Sequence, residues 1–488
     1  MSDSRLGRWF AAAVGAHAGR SGFAVLGEGT EAWLSRTALA DYADHTIDLQ
    51  YYLYAADRSG LDLLSRLAAA ADRGVKVRLL VDDSNLAVSD VVAAQLATHP
   101  NIDVRVFNPF AGRVRWLRIF EGLLRLKRLN RRMHNKLFAV DGCVAVVGGR
   151  NVGDDYFDAD PVRNFTDVDL LAVGPVVREA ISSFDEFWNS PYAVRPEDFL
   201  QNRPARIAVQ RLVTQLAADH SPATRPRPTP AAQTRFLRTL AEDAEALVWG
   251  EARFLHDPVQ KVHVFARRTS VVGAALLREW HAAHTEVLLV SAYFVPRRLG
   301  LRLTREAVRR GVQVSVLTNS LASNDVALVH AGYARYRRRL LALGARLFEF
   351  RRWQDPVSAV PGYRPREVSL HTKLAVFDRK VCWVGSFNFD PRSFLLNTEV
   401  GLMVRSAPLA ERLAAVFARD TAPEHAWQVE LRPLASAAAP LGQHRWQVIW
   451  LGSEQGVPVM QAVEPDTSRW RRWWVRLAAH IPGVDTVL

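Results

Sequence analysis

Two histidines carry the first chemical signal in this chain. His134-x-Lys136-x4-Asp141 recurs as His371-x-Lys373-x4-Asp378, and after six intervening residues each aspartate is followed by a tetrapeptide that starts with glycine and ends with asparagine, Gly148-Gly149-Arg150-Asn151 and Gly385-Ser386-Phe387-Asn388. Matching positions all lie 237 residues apart, and so do Gly74 and Gly311 in the upstream pair DRGVKVRLLVDDS and RRGVQVSVLTNS. One such motif arises by chance in a few per cent of chains this long, at roughly average composition; two copies at one offset are a duplication. In an extended strand, residues two apart share a face, so each histidine is predicted to point the same way as its lysine. Asp141 and Asp378 stand an odd step from the histidines. They are predicted to face away, as fold-stabilising ion pairs.

An imidazole, an ammonium and the Asn151 or Asn388 amide make half of a phosphate site, and two copies supply both sides. One imidazole can attack phosphorus and form a phosphohistidine. The other can protonate the leaving alkoxide and later deprotonate the incoming alcohol or water. Lys136 and Lys373 would neutralise the phosphoryl oxygens, a task that metals perform in many phosphotransferases. No acid or cysteine cluster suggests ligation, so neither a metal nor another cofactor is expected. Gly148, Gly149 and Gly385 are predicted to permit a tight turn and close approach of backbone to ligand.

The elements that position these residues repeat as well. IDLQYYLY (47–54) answers VLLVSAYFV (287–295), and each half reads strand, helix, R-G-V strand, long connection, motif strand, turn. Helices alternating with strands predict two α/β halves with mixed sheets. At 488 residues two domains are expected. The boundaries are placed at 1–24 for an N-terminal segment, 25–205 for the first domain, 206–235 for a linker, 236–467 for the second domain, and 468–488 for a basic tail. The linker holds Pro222, Pro226, Pro228 and Pro230 and reads as extended. Arg5 and Arg8 precede a weak apolar run from Trp9 to Ala16, too short and alanine-diluted for a signal peptide, so it is read as part of the mature chain.

Composition narrows the partners. Hydrophobic residues make up 49% and charged ones 23%, and no stretch approaches the ~18 apolar residues of a membrane span. Two cysteines, Cys143 and Cys382, exclude a disulfide scaffold and suit a reducing compartment. The net charge of +13 favours nucleic acid, acidic lipid or phosphorylated substrates. Only six of 63 basic residues are lysine (76, 127, 136, 261, 373, 380), so a surviving lysine marks a place that requires a point charge. Residues 112–132 alternate basic residues with Trp116 and aliphatic ones, and residues 468–482 pack Trp470, Trp473 and Trp474 among arginines. Both read as basic amphipathic segments for an anionic membrane surface, against the alternative of core-covering helices with snorkelling arginines. Asn319, Ser320, His330 and Tyr333, in a segment without a clear counterpart in the first half, are candidate substrate contacts or part of a plain surface helix.

The two motifs resemble the HKD signatures of the phospholipase D superfamily over roughly residues 25–488. Within it the chain is most similar to bacterial cardiolipin synthases of the C type. The likeness rests on IDLQYY, RMHNK, VVGGRNVGDDYF, FTDVDLLAVGP, SAYFVP, NSLASNDVALVHAGY, VGSFNFDPRS and LNTE. Gly149 where the second motif has Ser386 fits that subgroup. The resemblance implies two homologous domains about a pseudo-two-fold axis with the active site between them. It also implies a carboxylate downstream of each motif that pairs with its histidine: Asp167, with Asp169 as competitor, and Glu399. It assigns His134 as nucleophile and His371 as acid and base, an order the near-symmetric motifs leave open. The implied reaction moves a phosphatidyl group onto a phosphatidylglycerol headgroup. The donor would be phosphatidylglycerol or another lipid such as phosphatidylethanolamine, at the cytoplasmic face of the bacterial inner membrane. Hydrolytic phospholipase D action is the first alternative, and phosphodiesterase or nuclease action on nucleic acid, disfavoured as substrate by the tryptophan-rich segments, is another. A non-enzymatic lipid binder fits poorly with two intact motifs. Nothing in the sequence reports an oligomeric state.

Overall fold

The computed structural model describes residues 3–86, 93, 96–109, 130–198, 228–263, 270–352, 367–433 and 446–480. Among the described residues, each half contributes the same run of seven strands to one 18-stranded mixed sheet, with Ala193–Val194 added to the first run and Ala426–Pro433, Trp446–Glu454 and Val457–Gln461 to the second. In the first half it runs Ile102–Phe107, Lys76–Leu86, Thr46–Tyr54, Leu137–Val140, Val144–Gly148, Asp169–Val173, Ser21–Leu26. In the second it runs Arg346–Phe350, Gln313–Asn319, Glu286–Ser291, Lys373–Phe377, Val381–Gly385, Val400–Arg405, Val248–His256. The first three strands of each are parallel and the rest antiparallel.

The two runs join edge to edge. Ser21–Leu26 pairs antiparallel with Val248–His256, Gly22 opposite Trp249. Side chains alternate between buried faces, as strands covered on both sides require. Leu137, Ala139, Ala145, Val147, Leu170 and Ala172 point into a core shared with Leu374, Val376, Val384, Leu402 and Val404 of the other half. Phe138, Val140, Val144, Val146, Leu171 and Val173 point into a core of the first half that also takes in Leu237, Leu240 and Leu247. Both cysteines are buried and free, and burial pushes the Cys382 thiol up to about 12, so it acts as a small hydrophobe.

Two boundaries drawn from the sequence shift here. Helix Arg5–Ala16 buries Leu6 and Phe10 in the first-half core. The linker expected through 235 ends earlier: Thr229 caps helix Pro230–Glu242, with proline in the first turn where its missing N–H costs nothing. That helix packs on helices Gly29–Tyr42 and Arg5–Ala16 of the first half. The remainder of the linker, 206–227, lies outside the described residues. Among the described residues, no helix is long and apolar enough to cross a membrane.

Asp141 and Asp378 make hydrogen bonds where ion pairs were expected. Each follows its motif strand with a positive φ, 53° and 51°. Asp141 accepts the backbone N–H groups of Asp44, His45 and Thr46 at 3.0, 2.8 and 3.0 Å. Asp378 accepts those of His284, Thr285 and Glu286 at 2.8, 2.8 and 3.0 Å. These carboxylates pin the entry of the strand neighbouring each motif. Burial would raise the Asp378 carboxyl, but the backbone donors win and hold it at about 2. A depressed carboxylate stabilises the fold above its ordinary value of 3.8 and loses that stability as pH falls toward 2. Asp378→Ala should therefore lower the melting temperature at pH 7, with the gap to wild type closing below about pH 3; an equal gap at both pH values would contradict the assignment.

Candidate active site

The histidines sit one step before their strands, where the two halves cross-pair. Segment Glu367–Leu370, leading to His371, runs parallel to Arg163–Thr166. Its counterpart Met133 forms a parallel bridge with Thr398. The His371 N–H donates to Thr166 O at 2.8 Å, and the His134 N–H to Thr398 O at 3.0 Å. Behind each lead-in stands one polar latch. Asp82 accepts the Met133 N–H at 2.9 Å, and Asn319 accepts the Leu370 N–H at 2.9 Å. Asn319 thus has a counterpart after all, 237 residues away. It holds backbone, donating also to Leu370 O and Ala292 O.

The carboxylates are exchanged between halves. His134 Nδ1 lies 2.9 Å from Glu399 Oε2, and His371 Nδ1 lies 2.6 Å from Asp167 Oδ2. This corrects the pairing of each histidine with the acid downstream of its own motif. The parallel lead-ins deliver each acid, the next residue after Thr166 or Thr398, to the other half's histidine. Asp169 is no competitor: it is buried against Arg36 at 2.9 Å and Arg150 at 3.5 Å. With Nδ1 of each imidazole on a carboxylate, Nε2 is left to react.

Both lysines fold back onto the histidines. Lys136 Nζ donates to His134 O at 2.8 Å, and Lys373 Nζ donates to His371 O and stands 2.9 Å from His371 Nδ1. All six side chains are buried. Burial, then the lysine charges, push both imidazoles well down. Burial lowers Lys136 against the pull of Glu399, and takes Lys373 down to about 8 against Asp167 and Glu399. It raises Asp167, and it raises Glu399 to about 7 despite Lys136. An arriving phosphodiester anion would favour the charged form of both lysines and of an imidazolium.

The remaining candidates divide. Asn151 donates to Tyr156 Oη at 2.9 Å and accepts the Leu53 N–H at 3.3 Å, and Asn388 accepts the Tyr293 N–H at 3.4 Å. Gly148, Gly149 and Gly385 make room for the chain itself, not for a ligand: a Cβ would lie 2.0 Å from Asp169 Oδ1, 2.4 Å from Asp167 Oδ1 and 2.3 Å from Val400 O. Ser386 donates to Glu399 at 2.5 Å. Ser320 bonds Ser323, and His330 and Tyr333 are buried on helix Ala327–Ala342, the histidine 3.2 Å from Glu464. The contacts of Ser320, His330 and Tyr333 do not involve the histidine pair. Trp116 and 110–129 lie outside the described residues, while Arg131 and Arg132 at the end of that basic segment are buried, Arg132 beside Asp82.

The C-terminal helix Arg469–His480 leaves Trp470 69%, Trp473 51% and Trp474 55% exposed, with Trp470 and Trp473 stacked at 4.8 Å. Its Val475 packs on Leu321 and Ala331. Tyr52 meets His134 edge-on at 5.0 Å, and Tyr156 and Phe165 each flank His371 at 5.2 Å. Sequence reasoning missed these rings because single aromatics carry no spacing signal.

A family model described as "Cardiolipin synthase, PLD-like domain" matches residues 37–188 and 276–421. The chain is 38% identical over 470 residues to cardiolipin synthase C of Escherichia coli (strain K12), covering 96% of each protein. It is 32% identical to an uncharacterized protein of Helicobacter pylori, covering 91% of this chain and 85% of that one. Among solved structures, phosphatidylserine synthase of Haemophilus influenzae superposes with a TM-score of 0.59 at 13% identity, covering 96% of this chain and 95% of that one, a likeness of fold.

Proposed function

Because this chain belongs to the phospholipase D-like family of the cardiolipin synthases, we propose that it transfers a phosphatidyl group onto the headgroup of phosphatidylglycerol through a phosphohistidine. The observation that carries the reading is the pair of buried imidazoles, each with Nδ1 on a carboxylate from the opposite half and a lysine at its back. His134 Nε2 attacks phosphorus, and His371, which carries a second proton on Nε2 as an imidazolium held by Asp167 when the anionic substrate is bound, gives that proton to the departing alkoxide. A phosphatidylglycerol hydroxyl then loses its proton to His371 and attacks the phosphohistidine, which frees His134. The carboxylates hold the tautomers and stabilise the imidazolium that forms on each proton transfer.

A membrane-surface site supports the lipid reading. The exposed tryptophans lie among arginines, a combination suited to the headgroup layer of anionic bilayers. Their helix also reaches toward the histidines. Arg471 donates to Asn324 O at 2.8 Å, the adjacent Asp325 accepts from Tyr293 Oη at 2.8 Å, and the Tyr293 N–H meets Asn388. We place the enzyme on the cytoplasmic face of a bacterial inner membrane, bound from one side.

The deciding experiment is lipid profiling after incubation with phosphatidylglycerol vesicles, with and without phosphatidylethanolamine. Cardiolipin as the product supports the proposal. Phosphatidic acid alone makes the protein a hydrolase, and plasmid nicking without lipid turnover moves the substrate to nucleic acid. Exhaustive chelation should leave turnover within about twofold, since lysines supply the positive charge. Lys136→Arg or Lys373→Arg should lower kcat/KM about ten- to a hundredfold, because a planar fork misplaces that charge. A strict divalent-ion requirement in the chemical step would contradict the lysine assignment.

A further inference from the structure

The symmetry that relates the two motifs breaks one layer behind the histidines. In the second half two hydroxyls donate to Glu399: Ser386 to Oε2 at 2.5 Å and Ser393 to Oε1 at 2.7 Å. The positions 237 residues earlier hold Gly149 and Tyr156. The glycine leaves no side chain to donate, and the Tyr156 oxygen is engaged by Asn151. Asp167 receives instead the backbone N–H of Val168 at 2.8 Å.

Ser393 is itself anchored. Its carbonyl accepts from Lys261 Nζ at 2.7 Å, and Lys261 forms an ion pair with Asp257 at 2.6 Å. Ser270 donates to Asp257 at 2.8 Å, and the Asp257 N–H donates to Glu399 O at 2.9 Å. Lys261 and Asp257 are 2% and 0% exposed. A buried ion pair contributes little net stability compared with apolar residues of the same shape. In a chain with six lysines, one buried beside the site needs a reason that an apolar residue could not satisfy.

We propose that Lys261 and Ser393 form a positioning unit that holds Glu399 against His134 and makes the His134 side of the site chemically distinct from the His371 side. The inference rests on the two-histidine reading above. Neither residue touches the reacting atoms. They act through Glu399, which keeps the His134 Nδ1–H as donor and Nε2 as the free base. Glu399 also faces the cations Lys136 and Lys373, the carboxyl of Asp390, and His134 itself. Burial drives its carboxyl up, and Lys136, the two hydroxyls and Lys261 oppose that rise. With a donor removed, Glu399 takes up its proton at higher pH, and His134 loses its acceptor while the solution is still near neutral.

The test is the pH profile of kcat/KM, with His134→Ala, Ser393→Ala, Tyr156→Phe and the double variant Asp257→Asn/Lys261→Met. The double variant removes both buried charges together, so no unpaired charge is left to unfold the site. Ser393→Ala should move the acid limb of the Glu399–His134 pair up by about one pH unit, the effect of one hydrogen bond to a charged group. The double variant should shift it in the same direction, whereas Tyr156→Phe should leave it in place. Each variant's melting temperature separates this from loss of fold. An unshifted acid limb in folded Ser393→Ala and in the double variant, with His134→Ala inactive, would overturn the positioning unit and leave the two-histidine reading intact. An active His134→Ala would overturn the reading itself.

Discussion

Alanine at either His134 or His371 should reduce turnover on phospholipid vesicles by about a thousandfold or more, with the melting temperature little changed. Nucleophile and proton carrier must both act in every cycle, so either loss stops it. The double variant should be scarcely slower than either single one, because groups that work as a unit are non-additive. The singles should differ in one observable. If His134 is the nucleophile, His371→Ala can still accumulate phosphohistidine with a donor whose leaving group needs no proton, and His134→Ala cannot. Trapping of labelled phosphoenzyme after acid-free quenching reads this directly. Label on the His134→Ala protein and none on His371→Ala would reverse the two roles. Substantial vesicle turnover by either folded variant would sink the mechanism.

Replacing Trp470, Trp473 and Trp474 together by alanine should lower activity on anionic vesicles about ten- to a hundredfold. Activity on a short-chain soluble phosphodiester should be spared. The three rings are exposed and the helix is anchored by Val475, so the substitutions leave the protein core untouched. Wild-type protein should sediment with vesicles containing anionic lipid and much less with neutral ones. Salt should weaken the binding, since charges are screened over about 10 Å at 0.1 M. Equal loss on both substrates would place the tryptophans in catalysis or folding. No loss on vesicles would remove this helix from membrane contact.

Much of the site was legible because a duplication exposes it. His134, Lys136 and Asn151 recur as His371, Lys373 and Asn388 at one offset, and chemistry explains those residue types together. The mixed α/β halves followed from alternating strands and helices, and the apolar motif strands announced a sheet buried on both faces. Asp141 and Asp378 were separable from the histidines by step parity alone, although their partners proved to be backbone N–H groups.

Which acid meets which histidine was decided only by tertiary structure. Asp167 and Glu399 could be named from the sequence, but the parallel pairing of each lead-in with the other half sends each across the interface. No local pattern encodes a contact between residues 204 or 265 positions apart. For the same reason Asn319 looked unmatched until Asp82 appeared at the equivalent latch, and His330 looked like a substrate contact until burial beside Glu464 gave it a partner. Lys261 was conspicuous only as one of few lysines, and its path to Glu399 through Ser393 exists only once the turn Val259–Val262 meets helix Pro391–Leu395. Residue types and their spacing determine what chemistry this chain can perform. Which atoms share a proton depends on distances of under 3 Å between segments far apart in sequence, and only the folded chain sets those.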